Sequence, residues 1–397
     1  MRLTHLLLTD YRNIERLEID LPERIGVFVG ENAQGKSNIL EAIYMLATMR
    51  AARAEQDAQV IRRAALDDVL PATRVVGQAE TSEGALKVEV TLTARPGPNG
   101  PIATKTVKVN GVSRRVSAAV GRLTAVLFTA DDLHLIDGSP STRRRFLDVT
   151  LAQVDPAYSK ARSRFERVLT QRNHLLRRIR EGAADRDELP YWDEQIARDG
   201  AVIFGRRARA LDVISQLAQE THARLAPGEH FATHYRPRLE PLAIDLADVD
   251  EGSIAEAYRR ALTASLGRDI PAGMTLQGPH RDDVFFSLDN FPAAGFASRA
   301  QQRTIALSLR LAEAQFLRER RGEPPLLLLD DILSEMDASR RDSVLAALGD
   351  VDQMLVTGTD WDRFSRSFME DASLFAVEAG STRPLAAGLP APRRDPS

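Results

Sequence analysis

Eight consecutive residues, Gly30-Glu31-Asn32-Ala33-Gln34-Gly35-Lys36-Ser37, have the types and spacing to hold a chain of phosphates. Glycine at both ends lets successive backbone N–H groups turn inward around phosphate oxygens, and a helix starting at the loop adds its positive end. With a nucleoside triphosphate such as ATP, the Lys36 ammonium would reach the β- and γ-phosphates and the Ser37 hydroxyl would ligate Mg²⁺. A glycine turn between strand and helix can produce the same pattern, so the flanks decide. Ile25-Gly26-Val27-Phe28-Val29 before it is an apolar run of buried-strand length, and from Asn38 to Leu46 apolar residues recur at helical spacing. Only five of the 53 Lys and Arg are lysines, at 36, 87, 105, 108 and 160, so arginine is the default cation and a lysine at this position is the less accidental.

A nucleotide site also needs carboxylates. Pro324-Pro325-Leu326-Leu327-Leu328-Leu329-Asp330-Asp331 has the pattern of a buried parallel strand ending in two of them, at the edge where open α/β sheets bind ligands. Asp330 would hold Mg²⁺ and Asp331 would orient and deprotonate the attacking water. Acidic residues there can also merely begin a loop or cap a helix. Just upstream, Phe296 to Thr304 opens a long helix in which Ser298, taken alone, is an N-cap. Its position before the acidic strand suggests instead the signature of ABC-type ATPases, whose helix N-terminus contacts the γ-phosphate held by a second protomer. Ser298 and Gln301 match that signature, with Arg299 and Ala300 between them, and Ser334-Glu335-Met336-Asp337 resembles the D-loop of the same class.

The elements that position these groups come from both ends of the chain. A length of 397 residues with 43% hydrophobic content suffices for two or three lobes. Strands are expected over 1–9 and 14–29, around a turn at Thr9–Asn13. A strand-rich module follows over 73–128, with a hairpin at Asn110-Gly111. From Ser141 to about Leu225 the pattern is helical and Arg-rich, interrupted near Gly182 to Pro190. A further helix is expected over 251–266, capped by Ser253. Strand character returns at Asp283–Leu288, and a helix runs from about Ala297 to Arg321. A helix near 338–348 and a strand at Met354–Val356 complete the pattern. The expected fold is an α/β, ABC-type P-loop ATPase head with a mixed sheet, interrupted by a helical lobe. The expected divisions are 1–130 and 271–379 for the two halves of the head, 131–270 for the lobe, and 380–397 for a flexible tail. No apolar run approaches the roughly 20 residues of a membrane span, and the N-terminus has no signal-peptide shape, which points to the cytoplasm. With no cysteine, disulfides, thiol catalysis and Cys-based zinc sites are excluded. A net charge of -3 gives no global argument for nucleic acid, so such a partner has to rest on a local basic surface.

Several motifs occur together and in order: Tyr11-Arg12-Asn13, the P-loop ending Lys36-Ser37-Asn38, Val126-Leu127-Phe128 through Asp131-Asp132-Leu133, Gly138-Ser139-Pro140 with Arg143-Arg144-Arg145-Phe146-Leu147-Asp148, Gln171-Arg172-Asn173, Gly278-Pro279-His280-Arg281-Asp282-Asp283, and Gln301-Gln302-Arg303-Thr304. Together they resemble the bacterial RecF family, over a span from the first strand to Asp360. The resemblance implies an SMC-like ABC ATPase head with its arm reduced to a compact helical lobe, a DNA-binding protein that dimerises with ATP between protomers. It implies action with RecO and RecR in loading RecA at gapped or junction DNA, slow DNA-stimulated ATP hydrolysis for release, and a part in DNA replication and SOS induction. Carried over by position, Gly30 to Asn38 hold the nucleotide, Arg12 and Asn13 flank it, Ser37 and Asp330 hold the metal, Asp331 is the base, and Ser298 to Gln301 act in trans. Asp337 falls in the D-loop, and Thr357 and Thr359 fall in the switch segment. The resemblance assigns His280 and Arg281 only to lobe packing or DNA contact. Ala300 departs from the family, which usually has glycine there. A methyl costs clearance and backbone freedom, so weaker ATP-driven dimerisation is expected than with glycine.

Between Arg143 and Glu181 eleven cations face four carboxylates. Arg143, Arg144, Arg145, Lys160, Arg164 and Arg172 are the candidate phosphate contacts of a salt-sensitive, sequence-independent DNA face. A solvated arginine-rich helix is the equal alternative. Two other functions share parts of the pattern. A transporter ATPase subunit has the same nucleotide chemistry but lacks such a helical insertion. A chromosome-organising head would need long heptad arms, and the helices expected here are short and broken.

Overall fold

The computed structural model describes residues 1–98, 100–240, 246–332, 352–359 and 366–385. In chain order the elements are β1 (Arg2–Tyr11), β2 (Ile14–Asp20), β3 (Ile25–Val29), α1 (Lys36–Thr48), β4 (Ala72–Thr81), β5 (Gly84–Arg95), β6 (Ile102–Val109), β7 (Val112–Arg114), α2 (Val116–Ala119), β8 (Ala125–Phe128), α3 (His134–Asp137), α4 (Pro140–Val154), α5 (Pro156–Arg180), α6 (Leu189–Leu225) and β9 (Phe231–Arg236). There follow α7 (Glu251–Ala272), β10 (Asp283–Leu288), β11 (Phe291–Pro292), α8 (Ala293–Phe296), α9 (Arg299–Arg321), β12 (Leu326–Asp330), β13 (Met354–Gly358), a short helix at Arg366–Glu370, β14 (Ala372–Glu378) and β15 (Ser381–Pro384).

The chain forms two compact units, Met1–Asp132 with Glu313–Ser397, and Leu133–Ala312. In the first, a sheet of order β15-β14-β3-β13-β12-β8 is built from both chain ends. Its members from β14 to β8 are parallel and β15 is antiparallel, so the sheet is mixed. Strands covered on both faces must be apolar throughout, which is why Leu326–Leu329, Ala125–Phe128 and Met354–Gly358 are buried without alternation. A second, antiparallel sheet has the order β2-β1-β4-β5-β6-β7. Its β6–β7 turn is Asn110-Gly111 with φ of +50° and +80°, the left-handed pair that a two-residue hairpin of matching twist requires. One apolar core containing Leu6, Leu8, Ile39, Ile43, Val90 and Leu328 joins α1 to both sheets.

The second unit is helical, with α6 packed against α5 and α7 and a small sheet of order β11-β10-β9. Three expectations are corrected here. Residues 271–312, expected with the head, cluster with the helical unit, because β10 pairs with β9 over its whole length. The cap of α7 is Asp250, whose carboxylate accepts the Ser253 N–H at 3.0 Å, and not Ser253. Residues 381–384, expected in a flexible tail, form β15 on the edge of the parallel sheet. The helices are also longer than expected: α6 has 37 residues, and Pro190 lies in its first turn, where the missing N–H costs nothing.

Candidate functional site

The loop between β3 and α1 is built around two glycines that no other residue could replace. A Cβ on Gly30 would stand 2.3 Å from the Val377 carbonyl oxygen. Gly35 has φ of +113°, and a Cβ there would meet Asn13 Oδ1 at 3.0 Å. Ala33 also has positive φ, +65°. No side chain caps α1, and its first turn has no acidic residue, so its positive end faces the loop. Gln34 ties the loop to the β14–β15 turn, accepting the Ala379 N–H at 2.6 Å through Oε1 and the Gly380 N–H at 2.9 Å through its carbonyl. Lys36 is buried, and its Nζ donates to the Gly30 and Glu31 carbonyls at 2.6 and 2.8 Å. Burial pushes its ammonium down from the ordinary value, while Asp331 and Asp330 hold it up. The carboxylates therefore lie within electrostatic reach of the loop.

Asp330 ends β12 beside Thr357 of β13, the parallel strand that lies between β12 and β3. The Thr357 hydroxyl donates to Asp330 Oδ1 at 2.9 Å and accepts the Asp331 N–H at 2.9 Å. One hydroxyl so fixes the Asp330 carboxylate and the Asp331 backbone, and Asp331 turns away from the strand with φ of +56°. Thr359 lies two residues beyond Thr357, while Asp337 and the rest of Ser334–Asp337 lie outside the described residues. Among the described residues no cluster of three His, Cys, Asp or Glu could by itself hold a metal ion. Ser37 and Asp330 fit a hard cation that takes its remaining ligands from phosphate and water.

The turn after β1 braces this site. Asn13 Nδ2 donates to the Ala33 carbonyl at 3.2 Å and its Oδ1 accepts from Asn38 Nδ2 at 2.7 Å, so Asn13 borders the loop directly. Arg12 is used otherwise: its guanidinium grips buried Glu41 with two bonds of 2.9 Å and reaches the Gln59 carbonyl at 3.1 Å. Glu41 also accepts the Arg53 N–H at 2.9 Å. The Arg53 guanidinium donates to Asn38 Oδ1 at 3.1 Å and lies 3.9 Å from Asp330 Oδ2. Glu41 and Arg53 were missed in the sequence. The available signal was a carboxylate one turn beyond Ser37 on an otherwise apolar helix.

In the helical unit Ser298, Arg299 and Ala300 are exposed at the start of α9. Ser298 and Gln301 form a capping box: the Ser298 N–H donates to Gln301 Oε1 at 2.9 Å, and the Gln301 N–H donates to Ser298 Oγ at 3.2 Å. Ala300 belongs to the regular helix and has no positive φ. Backbone freedom therefore gives no reason for glycine there, and only the clearance argument remains. Arg299 donates to Asp137 Oδ2 at 2.6 Å.

Three of the six candidate DNA contacts are corrected. Arg172 is wholly buried, bound to Asp193 at 2.7 Å, Asp269 at 3.0 Å and Thr275 at 2.8 Å, because α5 packs on α6 and α7 along that face. Arg143 closes on Asp283 with bonds of 2.7 and 3.0 Å, and Arg144 donates to the Asp282 carbonyl at 2.5 Å, both half-buried. Arg145, Lys160 and Arg164 are exposed, Arg164 while paired with buried Asp199 at 2.7 Å. Lys160, Arg164, Arg167 and Arg178 share one exposed face of α5 at helical spacing.

The Arg143–Asp148 and Gly278–Asp283 runs meet inside this unit. Arg207, 4% exposed, donates to Asp148 Oδ1 at 2.6 Å, to the Pro279 carbonyl at 2.6 Å and to Asp282 Oδ2 at 3.2 Å. Tyr158 and Tyr235 donate to Asp148 and Asp282, respectively. His280 is a packing residue: Nε2 donates to the Thr275 carbonyl at 2.9 Å and the ring tilts against Phe165 with centroids 5.8 Å apart. Burial pushes its pKa down to about 4. The unfolded chain therefore binds a proton below pH ~6.5 that the folded one refuses. Stability is expected to fall by up to about 3 kcal/mol as pH drops from 6.5 to 4. Denaturant titrations of wild type and His280→Gln at pH 7 and 4.5 check this, the variant losing less.

The sequence model of the RecF/RecN/SMC N-terminal domain family matches residues 2–381. A DNA replication and repair protein RecF of Roseiflexus castenholzii is 39% identical, with 97% of this chain and 100% of that protein covered. That of Chloroflexus aurantiacus is 38% identical, covering 96% and 99%. A solved structure described as the recombination mediator protein RecF-ATP in the RecFOR pathway superposes with a TM-score of 0.84 at 28% identity, covering 97% of this chain and 98% of that one. With a match that runs almost from end to end and takes in the loop, the acidic strand and the capped helix alike, the chain belongs to the RecF family.

Proposed function

We propose that this chain is an ABC-type ATPase of DNA repair that binds ATP with Mg²⁺ and acts on DNA within the RecFOR pathway. The observation that carries this reading is the pairing of a glycine-built loop around Lys36 with Asp330 and Asp331, where Thr357 bonds the carboxylate of the first and the backbone N–H of the second. Gly30 to Asn38 would hold the phosphates, and Ser37 and Asp330 would hold Mg²⁺. When bound, the cation neutralises charge developing on the transferred phosphoryl group. Asp331 would take the proton of the attacking water. Asn13 would keep the loop in its binding shape, and Arg12 would act on it through Glu41.

In the finer reading, two copies close on ATP with Ser298 to Gln301 of each facing the γ-phosphate of the other, and Thr359 and Asp337 completing the site. The exposed cations of α5 would follow the DNA backbone at a gap or junction, where RecO and RecR join in loading RecA. Hydrolysis would end the residence of the clamp. Among the described residues no helix is long and apolar enough to cross a membrane, and the proposed compartment is the cytoplasm.

Light scattering with and without ATP, alongside binding to a short gapped duplex, tests this reading. ATP is expected to double the mass and tighten DNA binding, with an affinity that falls steeply as salt rises. Ala300→Gly is expected to dimerise more tightly than wild type, since it removes a methyl from the proposed interface. Mass and DNA affinity that ignore ATP would overturn the clamp.

A further inference from the structure

A run of hydrogen bonds leads from the interior of the helical unit to Ser298. Gln301 uses both ends of its carboxamide: Oε1 accepts the Ser298 N–H at 2.9 Å and Nε2 donates to Glu229 Oε1 at 3.0 Å. The other Glu229 oxygen lies 3.0 Å from Nε2 of His222, which is 1% exposed. Nδ1 of that ring lies 3.4 Å from Ser308 Oγ. His222 belongs to the last turn of α6, and its ring tilts against Phe231 of β9 with centroids 5.4 Å apart. Glu229 sits in the short connection between them, after Gly228 with φ of +96°. That left-handed residue lets the chain reverse so that Glu229 lies over both His222 and the start of α9.

We propose that Glu229, anchored by His222, is a positioning residue for the signature segment, fixing Gln301 and through it the Ser298 hydroxyl. The proposal rests on the reading that Ser298 acts on a γ-phosphate held by a second copy. A glutamine side chain left alone samples several rotamers and both amide orientations. Glu229 removes the second freedom, because a flipped carboxamide would turn its oxygen toward a carboxylate. The oxygen therefore stays on the Ser298 N–H. The Gln301 N–H occupies one lone pair of Ser298 Oγ at 3.2 Å, and a hydroxyl so engaged keeps its single proton for another acceptor. Ser298 is exposed, so that proton is available to a phosphate oxygen. Binding partners that arrive with such groups already ordered associate more tightly than ones that must order them on contact.

The test is the ATP-dependent dimerisation constant of the full chain, by sedimentation equilibrium. Ser298→Ala is expected to lose the ATP-dependent dimer. Glu229→Ala is expected to weaken it about tenfold, from the ordering that the contact now requires. Gln301→Glu, which leaves an acceptor for the Ser298 N–H but sets two carboxylates together, is expected to weaken it similarly. It keeps the backbone and size of a helix-capping residue that is partly exposed, so it also serves if Glu229→Ala fails to fold. The swapped pair, Gln301→Glu with Glu229→Gln, restores the match of donor and acceptor and is expected to return the constant to within about threefold of wild type. Wild-type dimerisation by Glu229→Ala or Gln301→Glu, or failure of the swapped pair to recover, overturns the positioning role. If Ser298→Ala dimerises like wild type, the trans reading falls first and this proposal with it.

Discussion

Lys36→Met is expected to bind ATP about a hundredfold more weakly than wild type and to show no change of mass when ATP is added. The ammonium lies inside the loop, donating to the Gly30 and Glu31 carbonyls. It is thus already placed where phosphate oxygens would enter, and little reorganisation is needed to transfer its protons to them. A charge-assisted hydrogen bond to phosphate contributes on the order of 3 kcal/mol, which converts to about two decades of affinity. Methionine keeps the apolar stem and removes only the charge. Burial disfavours the Lys36 ammonium, so the variant should fold at least as stably as wild type. Titration with a fluorescent ATP analogue, with thermal unfolding as control, checks both halves. Equal nucleotide affinity in a folded variant would remove the loop from the ATP site.

Arg207→Met should destabilise the helical unit by about 3–5 kcal/mol, the cost of leaving buried carboxylates without their cation. Asp148 would keep Arg162 at 3.1 Å and Asp282 would keep the Arg238 N–H at 2.8 Å. Both would nevertheless lose the cation whose guanidinium bonds to the two of them. For a unit of this size the expected fall in Tm is about 10 °C. The deficit should depend on pH with a definite sign. Burial already raises the Asp282 carboxyl to about 6, so its contribution to stability is full below its ordinary value and is lost as pH rises through 6. Without Arg207 that rise is larger, so the gap between variant and wild type should narrow on going from pH 8 to 5. Calorimetry at those two pH values checks it. A Tm within 2 °C of wild type at pH 8 would mean that the surrounding hydrogen bonds suffice.

What could be read locally concerned short-range geometry. Leu326–Leu329 shows its fate because a strand covered on both faces is apolar at every position, and Gly30 to Ser37 because only glycine permits the backbone approach to Val377 and the positive φ at 35. Asn110-Gly111 is of the same kind. β9 was not legible: Phe231–Arg236 is short, follows a 37-residue helix, and acquires strand form from its pairing with β10, more than forty residues later.

The amino-acid sequence by itself marked the loop and the acidic strand, since each is a contiguous motif legible from its own residues and its flanks. The tertiary structure decided which cations meet solvent. On a helix surface Arg172 and Arg167 look alike in the sequence, yet Arg172 faces Asp193, Asp269 and Thr275 from two other parts of the chain and Arg167 faces water. It also decided that Arg207 would join Asp148 to Asp282, that Thr357 would set Asp330, and that Glu229 would reach Gln301. Each of these pairs spans more than twenty residues of sequence, and the energy of a buried charge is fixed by what surrounds it in space, which no local pattern encodes.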